Sequence, residues 1–206
     1  SYMYGNLYLV STPIGNLDDL TYRAVKILSS VDIILAESTE RANKLLSHYR
    51  IDTKVISFNK DNEKRKIENA IDYLKDSKNV ALISDAGTPS ISDPGFYLLS
   101  NLDEEVKVIP IPGASSLTCA LSVSRIPVNG FTFLGFLPKK ENDRRNKLLQ
   151  ASAAEFPLCL FESKHRLLNL LEDISSIFGE NTMVGLFREM TKIYETITHK
   201  SVSEHI

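Results

Sequence analysis

Short apolar runs alternate with amphipathic stretches along the first half of the chain. The apolar runs predict β-strands, which we place at residues 7–10, 31–36, 54–57, 80–84 and 106–111. The stretches between them have helical periodicity, at residues 20–29, 39–48, 62–74 and 95–101. Because strands that alternate with helices usually pair in parallel, the pattern predicts an α/β domain with a largely parallel sheet.

A second series of elements begins after Pro112 and Gly113. A helix rich in small residues is expected at 114–124, followed by helices at 143–153 and 165–178. Strands are expected at residues 131–136, 158–161, 182–188 and 194–198. We therefore predict two α/β domains, residues 1–113 and 114–206, with mostly parallel or mixed sheets.

The loop SDAGTPSISDPG, residues 84–95, follows the apolar run at 80–83. Gly87 and Gly95 allow the backbone to come within hydrogen-bond distance of a ligand. The carboxylates of Asp85 and Asp93 repel phosphate and suit a cation or a ribose hydroxyl. Neither a P-loop nor a Rossmann glycine motif occurs in the chain, so a phosphate cradle is not indicated. The alternative is an ordinary tight connection with Asp as a turn residue.

Two more of the predicted strands end in turn-forming residues. Pro13 follows the first strand, at the end where open α/β sheets bind their ligands. After Pro112 and Gly113, either Ser115 or Ser116 is placed to cap a helix. Each segment is therefore either a ligand-binding loop or a structural turn.

The overall charge gives no general signal for nucleic-acid binding. Lys and Arg total 24 against 26 Asp and Glu, which leaves a net charge of −2, so any RNA contact must be local. The most basic segment is 138–147, with five basic and two acidic residues. Such a cluster can follow an RNA backbone, although a solvated helix start has the same composition.

The cysteine content and the hydropathy of the chain indicate in which cellular compartment the protein is expected. Cys119 and Cys159 are expected to be small buried residues, not a disulfide, which fits a reducing environment. The apolar runs are much shorter than a membrane-spanning helix, and the first residues lack the pattern of a signal peptide. We expect a cytoplasmic protein with neither a metal site nor a membrane partner.

Four segments, in this order along the chain, resemble the tetrapyrrole methylase superfamily. They are LYLVSTPIGNLDDLTYRA, SDAGTPSISDPG, VIPIPGASSLTCALSVSRIP and FESKHRLLNLLEDI. The resemblance runs from about Gly5 to the last residue and is to the bacterial branch that methylates a cytidine 2′-hydroxyl in small-subunit ribosomal RNA. It implies an S-adenosylmethionine-dependent methyltransferase that forms a homodimer. It also implies that the cofactor binds in the cleft between two α/β domains and that the partner is the small ribosomal subunit or its RNA.

The resemblance and the loop chemistry together indicate the site residues. The cofactor is expected to contact Pro13, Asp85, Ala86, Gly87, Thr88, Asp93, Ser115, Ser116 and Glu162. RNA is expected to contact Lys139, Lys140, Arg144, Arg145 and Arg166. Glu162 and Glu189 are candidates for accepting the hydroxyl proton, with Lys192 as an electrostatic helper. The structural alternatives are a polar helix start at 162–166 and a salt-bridge cluster at 187–192.

The chain departs from the family pattern at two places. Where relatives read AEDTR, Ser38 stands in the Asp position and Glu40 in the Arg position. Where they carry HxHNE, Asn59 and Asp61 replace the histidines. Both segments belong to the expected substrate side, so two alternatives stay open: a methyltransferase of a small tetrapyrrole-like substrate, or a catalytically silent homologue. We also expect the second domain to lack the family's final strand and tail, as a truncated chain would.

Overall fold

The computed structural model describes residues 3–91 and 95–206. These residues fall into two compact units, of which the first ends at Ser116 and the second runs from Leu117 to Ile206. The division falls after Ser116, three residues beyond the predicted boundary at 113. Asp93, one of the expected cofactor contacts, lies outside the described residues.

The first unit is an α/β sandwich around one parallel sheet. Its strands are β1 (Leu7–Val10), β2 (Ile33–Ala36), β3 (Val55–Ser57), β4 (Val80–Ile83) and β5 (Val108–Ile111). They lie in the order β3-β2-β4-β1-β5, and every neighbouring pair is parallel. The predicted α/β class with a mostly parallel sheet is therefore confirmed.

Helices cover both faces of this sheet. They are α1 (Tyr22–Ser30), α2 (Thr39–His48), α3 (Glu63–Lys75) and α4 (Phe96–Ser100), with a short 3₁₀ turn at Leu17–Asp19. Ile34 and Ala81 pack with the buried side chains of α1 and α2, whereas Ile33 and Leu82 pack with those of α3 and α4. Because successive strand residues point to opposite faces, and both faces are buried, β2 and β4 are apolar at every position.

The second unit has two smaller sheets. It contains β6 (Thr132–Phe136), α6 (Glu141–Ala151), β7 (Leu158–Phe161), α7 (Leu167–Phe178), β8 (Met183–Arg188), β9 (Thr196–Ser201) and α8 (Val202–His205). Strands β6 and β7 are parallel, and β8 and β9 form an antiparallel hairpin. Helix α5 (Ser116–Ser122) begins at the last residue of the first unit. A small apolar cluster around Leu137, Leu148 and Leu170 forms the core of the second unit.

Each predicted strand and helix has a counterpart, but several ends differ. Strand β2 begins at Ile33 and not at residue 31, because the amide of Val31 donates to Ile27 and closes α1. Helix α7 begins at Leu167, since the preceding residues form a turn in which the amide of Arg166 donates to Ser163. Strand β9 begins at Thr196, which places residues 194 and 195 in the hairpin loop.

The short helix α8 was not predicted from the sequence. The side chain of Ser201 caps it, and the side chain of Glu204 bonds back to the Ser201 amide. In the part of the chain that the structure describes, no helix has both the length and the apolarity needed to span a bilayer.

Candidate functional site

The parallel sheet of the first unit brings the loops after its strands to one edge. The residues concerned are 11–16 after β1, 37–38 after β2, 84–88 after β4 and 112–115 after β5, and we call them the carboxyl edge. Ligands of open α/β sheets bind at this edge because the loop backbones are not used in sheet pairing. Most of the residues expected to contact the cofactor lie here.

Hydrogen bonds fasten the loop after β4 to the loop after β1. The amide of Thr12 donates to the carbonyl of Gly87 at 3.0 Å, and the amide of Gly87 donates to the carbonyl of Thr12 at 3.0 Å. The hydroxyls of Ser11 and Thr88 share a further hydrogen bond of 3.0 Å. Pro13 follows directly, so the structure brings it together with Gly87 and Thr88.

Two glycines allow the loops of the carboxyl edge to approach each other. Gly87 has φ +75°, a left-handed conformation that other residues rarely adopt. A Cβ atom at Gly113 would lie 2.9 Å from Ser11 Cβ and 3.2 Å from the Ser11 carbonyl oxygen. The loop after β5 therefore packs against the end of β1, and Ser115 lies at the start of α5 beside it.

Asp85 ties the loop after β4 to the start of α2. Its Oδ1 accepts a hydrogen bond from the amide of Ser38 at 3.1 Å, and Nη1 of Arg41 lies 3.7 Å from its Oδ2. In return, the amide of Asp85 donates to Oε1 of Glu37 at 3.1 Å. We expected this carboxylate to face a ligand. Instead, it ties the loop after β4 to the residues that follow β2.

A pocket of about 90 Å³ opens between these loops. Pro13 and Leu17 line it from the loop after β1, Ser38 and Arg41 from α2, and Asp85 from the loop after β4. Its walls combine apolar side chains with one ion pair, because Arg41 faces Asp85. Its volume is large enough for one small functional group of a larger ligand.

Two of the residues that depart from the family pattern, Ser38 and Asn59, have structural roles. Ser38 caps α2, since its hydroxyl accepts from the amide of Arg41. Glu40 is exposed in the first turn of that helix. Asn59 donates to the Glu37 carbonyl at 3.3 Å and accepts from the amide of Asp61 at 3.0 Å. The asparagine therefore orders the turn before α3.

In the second unit, Glu162 follows β7 and pairs with Arg166. Its Oε1 accepts from the amide of Ser163 at 2.8 Å and from Nε of Arg166 at 3.0 Å. The Glu162 side chain is only 7% exposed, whereas that of Arg166 is 36% exposed. The expected cofactor contact and the expected RNA contact are thus partners of each other.

The basic segment contains two arginines that form ion pairs within the unit and lysines that are exposed. Nε of Arg144 donates to Asp173 Oδ2 at 2.6 Å, and Nη1 of Arg145 donates to Asp173 Oδ1 at 2.9 Å. Arg144 and Asp173 are both buried, so this cluster joins α6 to α7 inside the unit. Lys139 and Lys140 are exposed. Of the four cations in this segment expected to contact RNA, two are therefore used internally.

Glu189 and Lys192 lie in the loop of the β8–β9 hairpin. Nζ of Lys192 is 3.0 Å from Oε2 of Glu189, and both side chains are about half exposed. Two candidates for catalysis are therefore brought together as an ion pair in an exposed loop.

Several features of the site were missed from the sequence. Asp173 lies within the apolar helix pattern LLNLLEDISSIF. An acidic residue on the apolar face of a helix is the one signal in the sequence that could have revealed its role. Phe131 and Phe136, at the two ends of the strand predicted at 131–136, are 42% and 59% exposed. Cys119 and Cys159 are free, as expected, but only partly and not fully buried. Partial burial raises the pKa of the Cys159 thiol. Within residues 3–91 and 95–206, no cluster of His, Cys, Asp and Glu has a metal-binding arrangement.

Comparison with known proteins identifies a family for this arrangement. The family model described as "Tetrapyrrole (Corrin/Porphyrin) Methylases" matches residues 6–205. The chain is 45% identical over 199 residues to "Ribosomal RNA small subunit methyltransferase I" of Haemophilus influenzae, covering 96% of this chain and 70% of the relative. It is 43% identical over 203 residues to the protein of the same name in Halalkalibacterium halodurans, covering 98% and 70%.

Solved structures share the fold at lower identity. The crystal structure of uroporphyrin-III-C-methyltransferase from Thermus thermophilus matches with a TM-score of 0.66 and 19% identity, over 97% of this chain and 86% of that one. At this identity the likeness concerns the fold alone.

Proposed function

The chain belongs to the tetrapyrrole methylase family, and we propose that it is an S-adenosylmethionine-dependent methyltransferase of small-subunit ribosomal RNA. The acceptor is the 2′-hydroxyl of a cytidine ribose. The observation that carries the proposal is the 45% identity, over 96% of the chain, to a protein named for ribosomal RNA methylation. Enzymes of tetrapyrrole substrates share only the fold at 19% identity, so nothing specific favours a tetrapyrrole substrate here.

The carboxyl edge suits the cofactor chemically. S-adenosylmethionine carries hydroxyl, amino and carboxylate groups and no phosphate, so it needs hydrogen-bonding partners and a close backbone more than a cluster of cations. The edge carries the Thr88 hydroxyl, which shares a hydrogen bond with Ser11, next to the left-handed turn at Gly87. We assign Pro13, Ala86, Gly87, Thr88, Ser115 and Ser116 as direct contacts.

Asp85 contributes to the same site in a different way from the expected one. Because its carboxylate accepts from the Ser38 amide and faces Arg41, it holds the loop that contains Gly87 in place. Asp93 belongs to the proposal only through the family resemblance. The same is true of the location of the cofactor between two domains, the homodimer and the cytoplasmic compartment.

The bound cofactor supplies an electrophilic methyl group on a sulfonium. The protein contributes by orienting the acceptor hydroxyl in line with that group and by excluding water from it. Glu162 is the buried candidate for taking the hydroxyl proton, and Arg166 fixes its carboxylate through Oε1. Glu162 would then accept the proton through Oε2. Glu189 is half exposed and paired with Lys192, so we rank it below Glu162 as the base.

RNA contact is proposed for the exposed cations of the second unit. Lys139 and Lys140 precede α6 in the basic segment, and Arg166 is partly exposed at the start of α7. Arg144 and Arg145 stay in the proposal as residues that support α6, since Asp173 already takes up their guanidinium groups.

The test is methyl transfer to small ribosomal subunits from a strain that lacks the gene. Purified protein and labelled S-adenosylmethionine are expected to restore a 2′-O-methylcytidine that mass spectrometry locates in the RNA. Calorimetry with S-adenosylmethionine is run in parallel. Binding of the cofactor without transfer to any RNA would favour a silent homologue, and transfer to a uroporphyrin-type acceptor would favour the tetrapyrrole alternative.

A further inference from the structure

The loop of the β8–β9 hairpin presents two large apolar side chains to solvent. We call residues 189–195 the hairpin tip. Ile193 is 94% exposed and Tyr194 is 83% exposed. We propose that the hairpin tip is an RNA-binding site, in which the ring of Tyr194 stacks on an unpaired base of the small-subunit RNA. The inference rests on the proposed function, because it names a contact to that same substrate.

The hairpin tip is braced internally. Glu189 has φ +52° and Thr191 has φ +72°, conformations that non-glycine residues adopt only when their surroundings hold them. The amide of Thr191 donates to Glu195 Oε2 at 2.6 Å, and the amide of Lys192 donates to the Glu189 carbonyl at 3.1 Å. The ion pair between Glu189 and Lys192 closes the turn. These contacts fix the direction in which residues 193 and 194 project.

The bracing has a consequence for Glu189 and Lys192. Their side chains form an ion pair of 3.0 Å within the loop, so their charges stabilise the conformation of the hairpin tip. We therefore regard them as positioning residues for Tyr194. A rigid, exposed aromatic ring loses little conformational freedom on binding, which favours tight contact through a small area.

The chemistry around the ring fits RNA. Both acids of the hairpin tip are engaged inside it, Glu189 with Lys192 and Glu195 with the Thr191 amide. Arg188, the last residue of β8, is exposed and makes no ion pair within residues 3–91 and 95–206. Arg188 pairs in register with Thr196, two residues after Tyr194, so the same hairpin carries an exposed aromatic ring and an exposed cation. Single-stranded RNA is bound by such aromatic rings, on which bases stack, together with cations that contact the backbone.

The size of the exposed apolar surface argues against a second copy of the chain as occupant. A stable protein interface uses roughly 20–30 residues on each side. The hairpin tip offers two large apolar side chains, and the strands behind it expose polar residues such as Thr196 and Lys200, with Met183 exposed only at the far end of β8. One ring is enough for a base, but two side chains are too few for a dimer interface.

The first experiment measures RNA affinity of Tyr194→Ala and Tyr194→Phe by filter binding to small subunits purified without the methyl mark. Loss of the stacked ring is expected to weaken binding by about 5- to 100-fold, whereas phenylalanine keeps the ring and stays within about twofold of wild type. Tyr22→Ala is the matched control, because Tyr22 is 91% exposed on the first unit. It is expected to bind RNA like wild type, and all variants are expected to bind S-adenosylmethionine equally.

A fluorescence experiment uses the absence of tryptophan from the chain. Tyr194→Trp places a single stacking-competent reporter at the hairpin tip, and its emission is expected to be quenched when single-stranded small-subunit RNA is added. The control reporter, Tyr22→Trp, is expected to keep its emission. Quenching of both reporters equally, or of neither, would overturn the assignment of the hairpin tip.

The proposed function and the hairpin-tip site fail in different ways. If wild-type protein methylates the RNA but Tyr194→Ala binds it as tightly as wild type, the site is wrong and the function stands. If wild-type protein neither binds nor methylates the RNA, both are wrong. If Tyr194→Ala turns a dimer into monomers in sedimentation experiments while RNA affinity holds, the hairpin tip is a contact between copies and the RNA site is overturned.

Discussion

The two units of the chain provide their functional residues by different physical means. In the first unit, the carboxyl edge is assembled from backbone hydrogen bonds and close packing at glycines, as between Thr12 and Gly87 and between Ser11 and Gly113. In the second unit, the corresponding residues are charged side chains, and most of them pair with one another. Backbone geometry thus leaves a loop edge available to a ligand, whereas charge clusters are readily used to hold small sheets and helices together.

The difference follows from the amount of apolar core. The first unit buries a five-stranded sheet on both faces, and the ion pair at its carboxyl edge, between Arg41 and Asp85, is long at 3.7 Å, with the Arg41 side chain 69% exposed. The second unit has two two-stranded sheets and a small cluster around Leu148. Its helices α6 and α7 are joined through the buried Asp173 and its two arginines.

The largest effect is expected when the buried charge of the second unit is removed. Asp173→Asn leaves the Arg144 guanidinium buried without a counter-charge, and we expect a loss of about 3–5 kcal/mol in the free energy of unfolding. Urea denaturation checks this value. The matched control is Glu172→Gln, an exposed neighbour on the same helix, which is expected to change stability by less than about 0.5 kcal/mol. Equal losses in the free energy of unfolding in the two variants would contradict the view that the second unit, unlike the first, depends on a buried charge cluster.

A Cβ atom at the turn of the first unit is expected to have the next largest effect. At φ +75° a β-branched residue is strained by about 1–2 kcal/mol, so in Gly87→Val the free loop is expected to relax to another conformation. Restoring the native conformation on binding is then expected to weaken S-adenosylmethionine binding by about tenfold. Gly87→Asn is the matched variant, because asparagine tolerates left-handed φ and a Cβ there makes only ordinary contacts, the nearest at 3.4 Å. Calorimetric titration of both folded variants separates the effect of backbone conformation at residue 87 from the effect of side-chain size. Wild-type affinity in Gly87→Val would show that the loop is only structural.

A smaller effect is expected from the exposed lysines of the basic segment. Lys139→Ser with Lys140→Ser should reduce the slope of log affinity against log salt by about 0.7 for each phosphate that is no longer neutralised, or about 1.4 in all. RNA binding at several salt concentrations measures the slope. Lys26→Ser with Lys107→Ser removes the same charge from exposed positions of the first unit and is expected to leave it unchanged. An equal slope change in both pairs would mean that net charge alone attracts the RNA.

The smallest effect is expected where the first unit departs from the family pattern. Ser38→Asp keeps the cap of α2, and Glu40→Arg changes an exposed side chain to a cation suited to phosphate. If the chain methylates RNA, the double variant should have equal or higher activity in the methyl-transfer assay. If wild type is silent because of these positions, the double variant should gain activity. A folded variant that binds cofactor but loses wild-type activity would assign Ser38 and Glu40 to a different substrate site.

Much of the fold was predictable because its signals are local. The predicted strands at 7–10 and 158–161 became β1 and β7 with those bounds, and residues 39–48 became α2, since hydrophobic periodicity depends only on near neighbours. Element ends were less predictable where a tertiary contact competes. Tyr194 has the aromatic character of a strand residue, yet it lies in the braced hairpin tip.

The candidate site was predictable in part. Pro13, Gly87 and Ser115 were placed at strand ends by the turn chemistry of the sequence, and the structure brings their loops to one edge. The partners of the charged residues were not predictable. Arg144 and Asp173 are 29 positions apart, and nothing in the segment 138–147 distinguishes the cations that pair with Asp173 from the exposed ones.

By itself, the sequence determined the order and type of the strands and helices, the glycine and proline loops at strand ends, and the likeness to one family. These depend on side-chain periodicity and backbone preference, which act over a few residues. Only the tertiary structure decided which charges are used in packing and which face solvent. An ion pair forms when two distant segments meet in a low-dielectric interior, and that meeting depends on how α6 and α7 pack against each other.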